Sequence, residues 1–247
     1  MTGVALLEVR EVDVRFGGIH AVQGASLDVD AGHVTGLIGP NGAGKTTLFN
    51  VICGLQEATR GHVFLAGEVI DGTKAHARAR LGIARTFQRL EVFGSLSVRD
   101  NVRVAAEIRK RWSRDGSDPQ AVTEEILDRV GLRHVAKSRV DAMPTGMARL
   151  VELARALATR PRVLLLDEPS SGLDEQESDD FAHLLVGLAG DGLAVLLVEH
   201  DVDLVMEVSA RIHVLDFGQV IASGTPAEVQ ADPKVQAAYL GAVEPVS

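Results

Sequence analysis

Gly39-Pro40-Asn41-Gly42-Ala43-Gly44-Lys45-Thr46 is the stretch on which the reading of this chain turns. It satisfies the pattern G-x-x-x-x-G-K-[ST] in full. It also lies between a short apolar run, Val34–Ile38, and a helix-like segment, Lys45–Leu55. Strand, glycine loop and helix in that order are the context that gives the pattern its meaning. The glycines let successive backbone N–H groups turn inward, and the helix N-terminus adds positive potential suited to a polyphosphate. Lys45 brings a compact charge to the β- and γ-phosphates, and the Thr46 hydroxyl can ligate Mg²⁺. The expected phosphate-binding run is Gly39, Pro40, Asn41, Gly42, Ala43, Gly44, Lys45, Thr46 and Thr47.

Downstream, Val163–Leu166 is a continuously apolar strand that ends in Asp167-Glu168. In a P-loop protein an Asp at this place holds Mg²⁺, and an adjacent acid can polarise an attacking water. Ala194–Val198 is a second such run, as buried parallel strands tend to be. The N-terminal third reads as further strands: Ala5–Arg10, Val12–Phe16 and Ser26–Val29, with His62–Leu65 and Glu68–Ile70 as a hairpin. The middle turns helical. Val98–Trp112 and Ala121–Val130 carry helical periodicity, and Asp118-Pro119 supplies an N-cap with proline at the first helical position. Helices Ala148–Ala158 and Glu175–Leu188 precede the two apolar strands; Ile212–Leu215, Gln219–Ala222 and a short helical tail close the chain.

The expectation is one α/β domain, with a core over residues 1–88 and 146–247 and a helical subdomain over about 89–145. The chain has 247 residues and 46% hydrophobic content, enough for a sizeable core. Lys and Arg total 25 against 34 Asp and Glu, a formal charge of −9, which argues against a nucleic-acid binder working through a broad basic surface. The single cysteine, Cys53, suits a reducing compartment and is read as helix packing. The opening MTGVALLEVREVDV does not read as a signal peptide, and no apolar run approaches the roughly 18 residues of a membrane span. Composition therefore implies a cytoplasmic protein. One segment departs from it: Arg99–Arg114 carries Arg99, Arg103, Arg109, Lys110, Arg111 and Arg114. It reads as a solvated helix face, or as a surface near a membrane partner or anionic lipid.

Over essentially its whole length the chain resembles the ATP-binding cassette (ABC) ATPases. Gln88 in Arg85-Thr86-Phe87-Gln88 matches that family's Q-loop, and Ser171-Gly172-Leu173-Asp174 its D-loop. His200 in Val198-Glu199-His200-Asp201 matches the switch histidine, and Phe16 in Arg15-Phe16-Gly17-Gly18 the aromatic that stacks on adenine. The resemblance implies a P-loop NTPase core of the ABC type, with an antiparallel β subdomain and a helical insertion. RFGGIHAV (Arg15–Val22), GPNGAGKTTLFNVICGL (Gly39–Leu55), GIARTFQ (Gly82–Gln88) and the tail GTPAEVQADPKVQAAYLG (Gly224–Gly241) are similar to the ATP-binding subunits of branched-chain (hydrophobic) amino-acid uptake transporters. Lipopolysaccharide-export ATPases share much of that framework. A soluble non-transport cassette and a non-hydrolysing regulatory binder are further readings.

The resemblance further implies ATP and Mg²⁺ as ligands. It makes Glu168 the general base, has His200 order the water at the γ-phosphate, and lets Thr46, Gln88 and Asp167 share the Mg²⁺ sphere. Val22 is expected to pack beside the base. It implies a second cassette as dimer partner, transmembrane permease subunits, an extracytoplasmic solute-binding protein acting indirectly, and attachment to the inner face of the cell membrane. The contacts across the dimer would come from Asp174 and the signature loop. Here the sequence departs from Leu-Ser-Gly-Gly-Gln: it reads Met143-Pro144-Thr145-Gly146-Met147. Pro144 lacks both the hydroxyl and the N–H of serine, and Met147 replaces an amide. Either Thr145 supplies the missing hydroxyl, or the composite site that uses this signature is weak.

Overall fold

Strand β1 (Leu7–Phe16) runs unbroken where the sequence reading has two strands. Glu11 is the reason. It takes a left-handed φ of 48°, and the pairing with β2 (Ile19–Val29) slips by one residue across it, from Val9↔Leu27 to Val12↔Ala25. This bulge swaps the parity of the strand, so Leu7 and Val9 before it and Val12 and Val14 after it all face the core. Ser26–Val29 is the end of the long β2 and not a separate element. The computed structural model of the chain describes residues 5–240. Met1–Val4, within the stretch read for a leader, and Gly241, the last residue of the quoted tail, lie outside them.

Strand β3 (Val34–Ile38), fully buried, feeds through the glycine loop into helix α1 (Lys45–Cys53). The helix stops short of Leu55 because Gly54 turns left-handed at φ 72° and donates back to Val51. Strands β4 (Arg60–Leu65) and β5 (Glu68–Val69) complete an antiparallel sheet in the order β2-β1-β4-β5. Helix α2 (Ala75–Leu81) and strand β6 (Ile83–Arg85) have no counterpart in the sequence reading. Arg78 of α2 is buried and donates to the carbonyls of Val51 and Ile52, covering the C-terminal end of α1.

The helical stretch comprises α3 (Val98–Lys110), α4 (Pro119–Arg129), two single 3-10 turns and α5 (Thr145–Leu157). Ser97 caps α3 and Asp118 caps α4 through side-chain oxygens. Helix α5 begins at Thr145, three residues ahead of the expected start. The remaining elements are β7 (Val163–Asp167), α6 (Glu175–Gly190), β8 (Ala194–Val198), α7 (Val202–Val208), β9 (Arg211–Asp216), β10 (Gln219–Gly224), α8 (Pro226–Ala231) and α9 (Pro233–Leu240).

A second sheet has the order β10-β9-β3-β8-β7-β6, parallel throughout except for β10 at one edge. Side chains of β7 and β8 alternate between two cores, which accounts for the unbroken apolar runs Val163–Leu166 and Ala194–Val198. On one face Leu164, Leu166, Val195 and Leu197 pack with α5, α6 and α7; on the other Val163, Leu165, Leu196 and Val198 pack with α1 and the antiparallel sheet. Each fully buried leucine contributes on the order of 1.5–3 kcal/mol relative to exposure. Two cores clamp β7, and its C-terminal residue, Asp167, is fixed accordingly.

Of the basic segment, Arg99 pairs with Glu124, Arg103 with Glu107 and Arg109 with Asp115. Among the described residues no ion pair holds Lys110, Arg111 or Arg114. None of the described helices is long and apolar enough to cross a membrane.

Candidate functional site

The glycine loop is shaped by close approach. A Cβ on Gly39 would sit 1.9 Å from the carbonyl oxygen of Leu215 in β9, and one on Gly44, whose φ is 105°, 2.5 Å from that of Ala21 in β2. No other residue fits either place. The turn between β9 and β10 is tied to the loop, with the Gly218 N–H donating to Ala43 O at 2.9 Å. Lys45 Nζ donates to the carbonyls of Gly39 (2.6 Å) and Pro40 (3.0 Å). Burial pushes the Lys45 ammonium down from its ordinary pKa, and the carboxylates of Glu168 and Asp167 pull it back up.

Asp167 and Glu168 part at the end of β7. Asp167 points inward, 2% exposed, and accepts from Arg85 Nη2 at 2.8 Å. Burial pushes its carboxyl up and Arg85 opposes that shift. Arg85 in turn donates to Asn50 of α1 at 2.6 Å and lies over the rings of Phe87 and Phe49. Glu168 takes a left-handed φ of 51°, its N–H donating to Val198 O. That turns the side chain outward. Its Oε1 meets His200 Nε2 at 2.6 Å, and its Oε2 accepts from Gln88 Nε2 at 3.1 Å. Glu199, itself buried, accepts from the backbone of Ser170 (2.7 Å) and of His200 (3.1 Å), anchoring the histidine loop. Burial pushes the Glu199 carboxyl up as well.

These groups surround a cavity of ≈ 640 Å³, floored by Asn41–Thr47, with Gln88, Glu168 and His200 at one end and Ile19, His20 and Phe217 as walls. The expected residues distribute unevenly. Loop, Gln88, Glu168 and His200 converge. Asp167 stands behind the wall. Val22 is fully buried in the core under the antiparallel sheet, paired with Val14, with no surface on which a base could rest. Phe16, 47% exposed, pairs with Ile19 across the β1–β2 turn and does not line the cavity. The aromatic that does is Phe217, 82% exposed in the β9–β10 turn. Sequence reasoning passed over it, although a Phe-Gly pair in a turn is where an exposed ring finds no core partner. Arg85, quoted only as part of a motif, is the second omission.

Pro144, Thr145, Gly146 and Met147 open α5 away from the cavity, next to the chain's own Gly172 and Leu173. A Cβ on Gly146 would come 2.7 Å from Leu173 Cδ2, and one on Gly172 3.2 Å from Thr145 Cγ2. Asp174 caps α6 in a reciprocal box with Glu177. Cys53 is in the core, and burial pushes its thiol up to about 11, which leaves it inert at neutral pH.

A parallel sheet with a phosphate loop at the C-terminal end of its central strand, and an outward glutamate held between an amide and an imidazole, defines a P-loop nucleoside triphosphatase. Residues 22–171 match the ABC transporter family, and residues 219–245 the branched-chain amino acid ATP-binding cassette transporter family. The chain belongs to the ATP-binding cassette ATPase family of transporters. It is 39% identical to the high-affinity branched-chain amino acid transport ATP-binding protein BraF of Pseudomonas aeruginosa, covering 96% of this chain and 98% of that protein. It is 35% identical, with the same coverage, to the lipopolysaccharide export system ATP-binding protein LptB of Escherichia coli. The crystal structure of an ATP-binding cassette of an ABC transporter in its ADP conformation superposes with a TM-score of 0.84 at 29% identity, covering 97% of this chain and all of that one.

Proposed function

We propose that the chain is the ATP-hydrolysing subunit of a membrane importer for branched-chain or related hydrophobic amino acids. The observation that carries the hydrolytic part is the placement of Glu168 between Gln88 and His200 at one end of the phosphate-loop cavity. For the solute class the support is full-length similarity to BraF together with the C-terminal match over residues 219–245.

ATP would lay its phosphates over the N–H groups of Gly39–Thr47. Lys45 exchanges the carbonyls of Gly39 and Pro40 for β- and γ-phosphate oxygens. Glu168 takes the proton of the attacking water, which Gln88 and His200 orient at the γ-phosphate. Thr46, Gln88 and Asp167 offer a hydroxyl, an amide and a carboxylate, an all-oxygen set that fits Mg²⁺. No group of three His, Cys, Asp or Glu able to hold a metal ion stands among the described residues, so such an ion would draw its other ligands from phosphates and water. When bound, Mg²⁺ neutralises developing charge on the phosphates. Arg85 occupies Oδ2 of Asp167, so that this carboxylate, set behind the cavity wall, would meet such an ion through Oδ1 and a bridging water.

The signature residues Pro144, Thr145, Gly146 and Met147, with Asp174, reach a nucleotide only if it is held by another cassette. The chain therefore works as a homo- or heterodimer on permease subunits, at the inner face of the membrane, and an extracytoplasmic solute-binding protein delivers cargo to that assembly. The core over 1–88 and 146–247 and the helical subdomain over about 89–145 are the units that move within it.

Deletion of the gene is expected to abolish energised leucine, isoleucine and valine uptake in whole cells, restored by the wild-type chain and not by Glu168→Gln. Intact uptake with a defect in lipopolysaccharide export would support the LptB-like reading instead.

A further inference from the structure

Glu152 lies in the middle of α5, 5% exposed, and has no part in the chemistry above. Burying a carboxylate on a helix face is costly unless its oxygens are satisfied. Here they are satisfied by a different segment of the chain. Oε1 accepts from the backbone N–H groups of Phe87 (3.2 Å) and Glu91 (3.3 Å), and Oε2 from Arg149 Nη1 (3.2 Å). Arg149 also donates to the carbonyls of Phe87 (2.7 Å) and Gln88, and Arg155 donates to that of Glu91. Arg149, Glu152 and Arg155 stand three residues apart along one face of the helix. All three grip residues 87–91, the span that contains Gln88.

We infer that Glu152 is a positioning residue that ties the Gln88 loop to the helix bearing the signature residues, so that the two move as one piece. The inference rests on the proposed role of Gln88. Thr145 and Gly146 begin the same helix about 10 Å along its axis from Glu152. A displacement of that N-terminus by a partner cassette is passed by Glu152 to the amides of Phe87 and Glu91. It reaches Gln88, whose side chain is bonded to Glu168. The Glu152 oxygens thus link the surface that meets the other chain to the placement of the attacking water.

The test uses the full-length chain and four variants: Glu152→Ala, Glu152→Gln, Gln88→Ala and the double variant Glu152→Ala/Gln88→Ala. Hydrogen exchange at the Phe87 and Glu91 amides is expected to quicken at least about tenfold in Glu152→Ala, while the β7 amides keep their protection. The kcat for ATP falls about tenfold with KM changed less than about twofold. Glu152→Gln retains one oxygen for both amides and recovers most of both losses. In the double variant the kcat loss equals that of Gln88→Ala alone. Additive losses, or unchanged exchange at Phe87 and Glu91, overturn the inference. If Gln88→Ala leaves kcat intact, the role given to Gln88 fails, and exchange still reads the tie separately. Should Glu152→Ala not fold, Glu152→Asp, one methylene shorter and still charged, carries the same measurements.

Discussion

The phosphate loop after β3 and the signature loop before α5 are both glycine-containing entries to a helix, and they are built to opposite ends. Gly39 and Gly44 are required by backbone oxygens of neighbouring strands, and Lys45 is bonded to the loop itself, so this entry is complete within one chain. At α5 the N-cap is Pro144 without a side-chain cap, Pro144 and Thr145 are exposed, and Gly146 is crowded by the chain's own Leu173. The first loop closes on itself, while the second leaves helix N–H groups facing outward. An anion-binding site can be finished by its own chain or left for another to finish; the first loop is of the former kind, and in the proposed dimer the second is of the latter.

Glu168→Gln is expected to have the largest effect on this contrast. It should lower kcat by about 10²–10⁴-fold and leave ATP affinity intact, because the proposed base is lost and the loop is untouched. A comparable loss of affinity, measured by equilibrium titration with a fluorescent ATP analogue, would mean that loop and base are not separable. Next comes Lys45→Ala, which removes the loop's only ammonium and should weaken ATP binding by the isolated chain about a hundredfold. Thr145→Ala should act more gently: about tenfold on ATPase of the assembled transporter, and not at all on ATP binding by a single chain. Unchanged ATPase would remove Thr145 as the substitute hydroxyl. Altered single-chain binding would break the contrast itself.

Much of this was legible in the sequence, for identifiable reasons. The loop Gly39–Thr46 is a contiguous pattern whose chemistry is local. Strands β3, β7 and β8 were readable to within a residue because burial on two faces leaves no charged interruption before Asp167. Helix α2 and strand β6 escaped because Ala75–Arg85 alternates alanine with arginine and histidine, and its strongest anchor, Arg78, is held by carbonyls of a distant helix. The bulge at Glu11 was invisible for a related reason: a parity change looks like a gap between two strands. Gln88, Glu168 and His200 could be named from order and motif, and the structure brings them together. Val22 and Phe16 were assigned to the base from motif alone, and neither lines the cavity. Arg85, Phe217 and Glu152 owe their places to partners 82, 194 and 65 residues away, and no local spacing announces such partners.

Asp167 and Glu168 are consecutive acids with different surroundings, and a single backbone rotation separates them. The left-handed φ of Glu168 costs roughly 1–2 kcal/mol relative to an ordinary conformation. In return, one carboxylate is sealed against Arg85 while its neighbour is delivered to Gln88 and His200. The arrangement is a sorting device with no tolerance for frame. One residue added between Val163 and Asp167 would seal Leu166 in the interior and turn Asp167 outward, and one removed would seal Glu168 against Arg85 and leave Pro169 at the outward position.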